Sequence, residues 1–460
     1  MLSSHHIKAL QNIVGKENLS CDPAVLSVYS YDSTRIEKIP SCVIFPRDSK
    51  DISQIITYAY THHIPITPRG AGSGMSGGSI NEGIILALQK HMNKILQIDT
   101  QNLCVTLEPS VINAKLNEAL APHNLFFPPD PASASFSSIG GNMIENAGGM
   151  CAVKYGVSKD YLLSAKMVIG TGEMIEVGHK TYKDVAGYNL LGLLCGSEGT
   201  LGIITELTLK LKPKPKFEQS LLVSFSSLQD LANCSCEILS SGITPCAMEF
   251  LDTLTTQALN HYYQIYPQNS QAILIIKLDS NFAPSLEYEA QEIQKICQKF
   301  QPLSFWKASS KEEEQKIWFG RKNASQANNL YGVKKLNEDI TLPRSEVANF
   351  LQETQKISKK YNLPIPCFGH IGDGNIHTNV MLPTLESLPQ GKEAIKELFS
   401  LALSLGGTLS GEHGIGITKA EYMPLAFSKA HLELFSRIKS AFDPHNILNP
   451  HKMGLPIKSL

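Results

Sequence analysis

The apolar positions of this chain change period several times, and each change predicts a different element. Residues 4–14 and the stretch "DSKDISQIITYAYTHH" space their apolar side chains at helical intervals, the second with Asp48 or Ser49 placed as N-cap. Short apolar runs at 41–45, in "IPITPRG", and at 83–88, 95–98 and 105–107 read as strands. A helix is expected at 112–120, then strands at 165–169, 174–177 and through "LGIITELTLKLKP". Pro213 and Pro215 punctuate the chain. Beyond them "SLLVSFSS", "LQDLANCSCEILSS" and "AMEFLD" read as β-α-β, and "AILIIKL", "SLEYEAQEIQKICQKF" and "LSFWKA" as another. Two such units predict a split-βαβ sheet with helices on one face. Helical spacing returns near 312–329, 345–361 and 388–403, and in a last helix that stops at Asp443-Pro444.

Composition narrows the function classes. With 460 residues, 42% apolar and 18% charged, the chain has material for two or three folded domains. A net charge of -1 gives no whole-surface attraction to nucleic acid or anionic lipid, and no nucleic-acid partner is expected. The alternating lysines of "LTLKLKPKPKF" read as a solvated strand edge and linker. Ten cysteines are scattered without a C-x-x-C pair, as reduced thiols of a cytoplasmic protein would be. The N-terminal residues lack the apolar core of a secretory signal, and apolar runs such as 272–276 are strand length. No transmembrane segment is expected, so any membrane contact would be peripheral or through a partner.

Three glycine-rich segments carry the first chemical signal. "TPRGAGSGMSGGS" (67–79) has glycines close enough for backbone N–H groups to converge on a phosphate. It is not a Walker loop, for no Gly-Lys-Ser/Thr follows. Gly72, Gly74 and Gly77 spell G-x-G-x-x-G, yet the loop leads into the strand "GIILAL" and not into a helix, which is wrong for a Rossmann turn. "FPPDPASASFSSIGGNMIENAGG" (127–149) and "CGSEGTLGIITELTL" (195–209) are two more such segments. Three of them, separated by strands, suit a long cofactor such as FAD gripped along its length.

These motifs, with the terminal "FDPHNILNPHKM", resemble the FAD-binding domain of the vanillyl-alcohol oxidase-type flavoproteins. Within that group they look most like the FAD-linked D-2-hydroxy acid dehydrogenases: glycolate oxidase FAD subunits, D-lactate dehydrogenases and D-2-hydroxyglutarate dehydrogenases. The resemblance covers essentially the whole chain. It implies an α+β fold with an FAD-binding domain at 1–215, a ferredoxin-like antiparallel-sheet cap at 216–425 and a C-terminal segment, 426–460, returning to the first domain. It implies that Arg69, Gly70, Ala71, Gly72, Ser73 and Gly74 hold the pyrophosphate. Pro129, Asp130, Ile139, Gly140, Asn142, Gly199 and Ile203 would line adenosine and isoalloxazine, with Asn449 returning to the flavin. Some relatives link FAD covalently through a histidine where this chain has Ser73, so noncovalent FAD is expected.

"FGHIGDGNIHTNV" and "LSGEHGIG" carry the second signal. His370 and His377, seven apart, would lie on opposite faces of one continuous strand, but the intervening Gly372, Asp373, Gly374 and Asn375 demand a turn that can bring both imidazoles to one point. Two histidines and a carboxylate form a familiar divalent-metal site. The resemblance makes His370, His377 and Glu412 the metal ligands, His413 the catalytic histidine and Asn379 a substrate contact. Zinc is the expected metal, with manganese, cobalt or iron(II) also fitting.

The chemistry so implied is oxidation of a D-2-hydroxy acid. The metal would lower the hydroxyl pKa, a neutral His413 would take the proton, and the C2 hydride would pass to flavin N5. "IWFGRKNASQ" resembles the family's carboxylate-binding segment and gives Arg321 that task, with Ser325 where some relatives have threonine. Asn337 stands where the 2-hydroxyglutarate branch has lysine, which favours D-lactate or glycolate, although Lys334 and Lys335 are near. Two other readings remain: a non-redox flavoenzyme of the same fold, such as a lipid-ether synthase, and a noncatalytic FAD subunit of a larger oxidase. The electron acceptor would be a quinone, an electron-transfer flavoprotein or an iron–sulfur subunit. A cytoplasmic protein is expected, with peripheral contact at the inner face of the membrane left open.

Overall fold

A computed structural model of the chain describes residues 2–455. Described residues within 1–148, 157–214 and 412–460 form one compact unit, and 149–156 with 215–411 form another. Two boundaries differ from the sequence expectation. The C-terminal return begins at Glu412, not at 426, because the Glu198 carboxylate takes the N–H groups of Ile415 and Gly416, both at 2.6 Å, and fixes them in the first unit. Residues 149–156 leave that unit because Lys154 pairs with Asp279 and the Tyr155 hydroxyl donates to Asp279 at 2.6 Å, inside the second.

The first unit holds two main sheets. Helix Ser49–His62, capped by Asp48 through the N–H groups of Lys50 and Asp51, turns Ile52, Ile55, Ile56 and Ala59 to one side. That stripe packs on Ile44, Ile66, Ile84 and Leu86 from strands Cys42–Ile44, Ile66–Arg69 and Ile84–Ala87, which run parallel. Each such side chain taken from water is worth about 1.5–3 kcal/mol. Leu448 bridges to Ile66 at the edge of this sheet and brings the C-terminal segment alongside. The second sheet is antiparallel, in the order Ile95–Asp99, Cys104–Leu107, Ile203–Lys210, Leu162–Val168, Met174–Gly178.

The second unit is built on a seven-stranded antiparallel sheet. Its order is Ser304–Lys307, Phe217–Phe225, Ala272–Ser280, Ala247–Leu251, Cys367–His370, Asn375–Leu382, Lys334–Thr341. Helices were expected on one face only, but successive residues in 247–251 and 272–276 are all buried. Side chains alternate between faces along a strand, so both faces are covered. Leu222, Leu251, Ile273, Ile275 and Phe368 pack with Ala258 and Leu259 of helix Thr253–Tyr263 and with Ile317 and Ala324 of helix Lys311–Ala327.

Candidate functional site

The first unit contains a cavity of about 340 Å³ walled by the three glycine-rich segments. Gly70, Ala71, Gly72, Ser73 and Gly74 line it, as do Gly140, Asn142, Gly199, Ile203 and Asn449. A Cβ on Gly140 would stand 2.6 Å from Pro109, so only glycine lets this segment close on its neighbour. Gly74 has nothing within 4 Å of the place a Cβ would take, and its backbone is open to a guest.

Four expected residues sit elsewhere. Arg69 turns away from the cavity: its guanidinium packs beneath Gly72, donates to the Ser79 carbonyl at 3.3 Å and lies over the Tyr29 ring. It shapes the loop from below. Pro129, Asp130 and Ile139 stand behind the wall, whose lining comes instead from Pro131, Ala132 and Ser133. Pro129 uses its carbonyl to accept from Asn113 at 3.0 Å.

Asn449 ties the segments together. Its amide nitrogen donates to the carbonyls of Gly78 (2.8 Å) and Glu198 (2.6 Å), and its oxygen accepts from the Thr67 hydroxyl at 2.9 Å. Lys439, buried, pairs with Asp443 and donates to the carbonyls of Thr200 and Leu448. Burial lowers its pKa, against the pull of Asp443. The same Asp443 carboxylate takes the N–H groups of Ile447 and Leu448, so it sets the residues just before Asn449.

The cavity wall carries buried polar atoms without a hydrogen-bond partner: Ser110 Oγ, Asn142 Nδ2 and Glu145 Oε2. Leaving such atoms unpaired costs about 1–3 kcal/mol each, and a polar ligand removes that cost. Open glycine backbone, orphaned donors and acceptors and an apolar surround fit FAD. Glu412 and His413 line the same cavity, with His413 Nε2 3.9 Å from Glu412 Oε1. Glu198 fixes the chain just beyond them by accepting the N–H groups of Ile415 and Gly416.

The histidines meet in the second unit. Strands Cys367–His370 and Asn375–Leu382 form a hairpin whose turn closes when Gly374 N–H donates to the His370 carbonyl at 3.0 Å. Gly374 adopts φ +85°, a conformation that favours glycine. Register places Phe368 opposite His377 and His370 opposite Asn375, so both imidazoles share one face. The rings lie 5.3 Å apart at 79°, both buried. Asp339 and Asn337, opposite His377 and Asn379, share that face too.

Glu249, which the sequence reading did not single out, organises this face. It sits two residues before Leu251, which pairs opposite Phe368. Its carboxylate is fully buried, bonded through Oε1 to His370 Nδ1 at 2.6 Å and through Oε2 to Arg321 Nε. Burial drives its pKa upward, but Arg321 and then His370 outweigh that and hold it below the usual carboxylate range. Arg321 reaches it because Ile317 and Ala324, one turn either side on helix Lys311–Ala327, pack on the sheet and carry the guanidinium inward, over Phe368. Two imidazoles, one of them oriented by a carboxylate, are a donor set that fits a divalent metal.

Asn379 shares the face of His377, as alternation requires, yet is fully enclosed. Its amide nitrogen donates to the carbonyls of Pro366 (3.2 Å) and His377 (3.1 Å) and so secures the hairpin. Lys335 Nζ is bound to Ser325 through both the carbonyl (3.2 Å) and the hydroxyl (2.5 Å), and burial lowers its pKa.

Residues 40–178 match the family described as FAD binding domain, and 214–453 match FAD linked oxidases, C-terminal domain. The glycolate oxidase subunit GlcD of Bacillus subtilis (strain 168) is 39% identical over 458 residues, covering 98% of this chain and 97% of that one. A D-lactate dehydrogenase of Archaeoglobus fulgidus is 33% identical over 416 residues, covering 89% and 90%. Among solved structures, p-cresol methylhydroxylase with substrate bound has a TM-score of 0.81 at 17% identity, covering 99% of this chain and 98% of its own. Alkyldihydroxyacetonephosphate synthase has a TM-score of 0.76 at 18% identity, covering 98% and 86%. At such identities these two show the fold alone, which is the α+β, vanillyl-alcohol oxidase type.

Proposed function

The chain belongs to the FAD-linked oxidases, and from that premise we propose that it oxidises a small D-2-hydroxy acid, D-lactate or glycolate, to the 2-oxo acid. The observation that carries this reading is the pair Glu412 and His413 on the wall of the glycine-lined cavity. A carboxylate and an imidazole there add acid–base and ligand chemistry to a cofactor site. Both relatives named above support the substrate class through their names, glycolate oxidase subunit and D-lactate dehydrogenase.

Glu412 is one peptide bond beyond Gly411, whose N–H is held by Asp339 at 3.1 Å in the register position opposite His377. With His370 and His377 it would complete a two-imidazole, one-carboxylate site for a divalent ion, zinc first. Such an ion, when bound, supplies Lewis acidity toward the substrate hydroxyl and carboxylate. Glu249, by taking His370 Nδ1, fixes Nε2 as the ligating nitrogen. Arg321, with Nε bound to Glu249, offers its terminal nitrogens to the substrate carboxylate. His413 accepts the hydroxyl proton on its imidazole while the carbonyl forms. FAD, held by the glycine-lined cavity, would supply the two-electron acceptor for the hydride from C2 of the substrate. Its attachment is noncovalent, since Ser73 cannot make the histidyl link.

A short monocarboxylate fits better than 2-hydroxyglutarate. Asn337 occupies the branch's lysine position, and Lys335 already spends its ammonium group on Ser325. Electrons would leave to a quinone, an electron-transfer flavoprotein or an iron–sulfur subunit. Among the described residues no helix is long and apolar enough to cross a membrane. Anaerobic mixing of the holoprotein with a panel of D- and L-2-hydroxy acids, with metal analysis of the same sample, tests the reading. Bleaching by D-lactate or glycolate in metal-containing protein is expected; bleaching by L-acids alone contradicts it.

A further inference from the structure

Helix Ile139–Glu145 ends on a side chain that the mechanism above does not use. Glu145 lines the cavity, and its Oε2 is buried without a hydrogen-bond partner. Two glycines make room for its carboxyl. A Cβ at Gly78 would stand 3.1 Å from Oε1, and one at Gly414 would collide with Oε2. A second carboxylate shares this wall, for the same Cβ at Gly414 would stand 3.1 Å from Glu198 Oε1.

Two carboxylates packed on one glycine cannot both carry full charge without strong repulsion. The structure distinguishes them. Glu198 accepts Ile415 N–H on Oε1 and Gly416 N–H on Oε2, both at 2.6 Å, which favours its ionised form. No donor of this kind reaches Glu145 Oε2. Lys452, the nearby buried cation, gives its ammonium group to the carbonyls of Gly77 (2.6 Å) and Ile80 (2.8 Å). Burial and then the charge of Glu198 push Glu145 well above the ordinary carboxylate range. Burial raises Glu198 as well, but its two N–H donors pull against that. Environments that separate a pair in this way assign one member as acid and the other as anion.

We infer that Glu145 is a neutral carboxylic acid that donates a hydrogen bond from the cavity wall to an acceptor atom of the flavin ring. The inference rests on FAD occupying this cavity and is independent of which hydroxy acid is oxidised. Reduction adds negative charge density to the ring, so a donor there binds the reduced form more strongly and raises the potential. Glu145 is thus a tuning residue for the cofactor, not a proton carrier for the substrate.

Redox titration of bound FAD against reference dyes needs no hydroxy acid, so a failed substrate assignment cannot imitate a failure here. Glu145→Gln keeps size and an N–H donor, whereas Glu145→Met keeps size and removes the donor. The Gln variant should hold the wild-type potential. The Met variant should be roughly tenfold harder to reduce against the same dye, about 30 mV for a two-electron couple. Equal potentials in all three proteins overturn the inference, as does a Gln variant displaced as far as Met. If the Met variant does not hold FAD, the oxidised-minus-reduced infrared spectrum of the wild type decides. It should contain a protonated-carboxyl band that Glu145→Gln deletes, and absence of that band overturns the inference.

Discussion

Glu249 shows how one buried carboxylate sets two functional groups at once. It orients His370 through Nδ1 and anchors Arg321 through Nε, and it has no exposure to water. Breaking such a buried pair leaves the partner cation uncompensated, at about 3–5 kcal/mol. Glu249→Leu should therefore lose about that much stability in chemical denaturation. Glu249→Gln should weaken binding of the proposed metal by about 10–100-fold, as loss of a ligand's orienting partner does. The pH dependence has a definite sign. The folded pKa of Glu249 lies below its unfolded value, so its stabilisation is present above about pH 4.3 and is lost as pH falls through the lower folded value. In Glu249→Leu that acid limb of the stability curve should flatten. His413 makes a different prediction, because its imidazole lines the glycine-walled cavity. His413→Ala should leave FAD bound and reduce flavin bleaching by about 100-fold or more. Bleaching at the wild-type rate in rapid mixing would assign the base elsewhere.

Elements bring these residues together, and here the sequence was informative in some places and silent in others. The hairpin was legible: Gly372 to Asn375 required a turn, and the turn fixes which face both histidines take. The glycine segments were legible too, because closely spaced glycines have few purposes other than close backbone approach. Glu249 was hidden. Within "AMEFLD" it looks like a strand's polar position, and only the burial of all five strand residues shows that its charge must be paired inside. The second covered face was hidden too, since the split-βαβ pattern predicts helices on one face and only the continuous burial of 247–251 and 272–276 shows the other. Glu198 and Asp443 were hidden because their partners are backbone N–H groups, which no residue pattern displays. The C-terminal segment illustrates the consequence. Asn449→Ala removes three hydrogen bonds that join the Thr67, Gly78 and Glu198 backbones and side chains. It should cost about 2–3 kcal/mol and weaken FAD binding. Denaturation and flavin-release titration read both effects, and an unchanged FAD affinity would mean that the segment does not shape the cavity.

At the scale of the molecule, the residues assigned to the proposed reaction come from both units of the chain. The cavity and His413 belong to the first unit, and Arg321, His370 and His377 belong to the second. The chain changes from one unit to the other between Gly411 and Glu412. The glycine-lined cavity is built from the first unit, so FAD and the proposed metal should be removable separately. A chelator should abolish turnover while the yellow spectrum of bound FAD persists, and zinc should restore activity. Full activity in metal-free protein would remove the Lewis-acid role and leave Glu412, His370 and His377 with structural tasks. The central claim, that this chain uses FAD to oxidise a small D-2-hydroxy acid, is tested most directly in one cuvette. Oxygen-free yellow holoprotein is mixed with D-lactate or glycolate, and flavin absorbance and 2-oxo acid are measured together. Loss of the flavin band with matching 2-oxo acid formation is the predicted result. A flavin band that stays unchanged with both acids, in protein carrying its metal, contradicts the account.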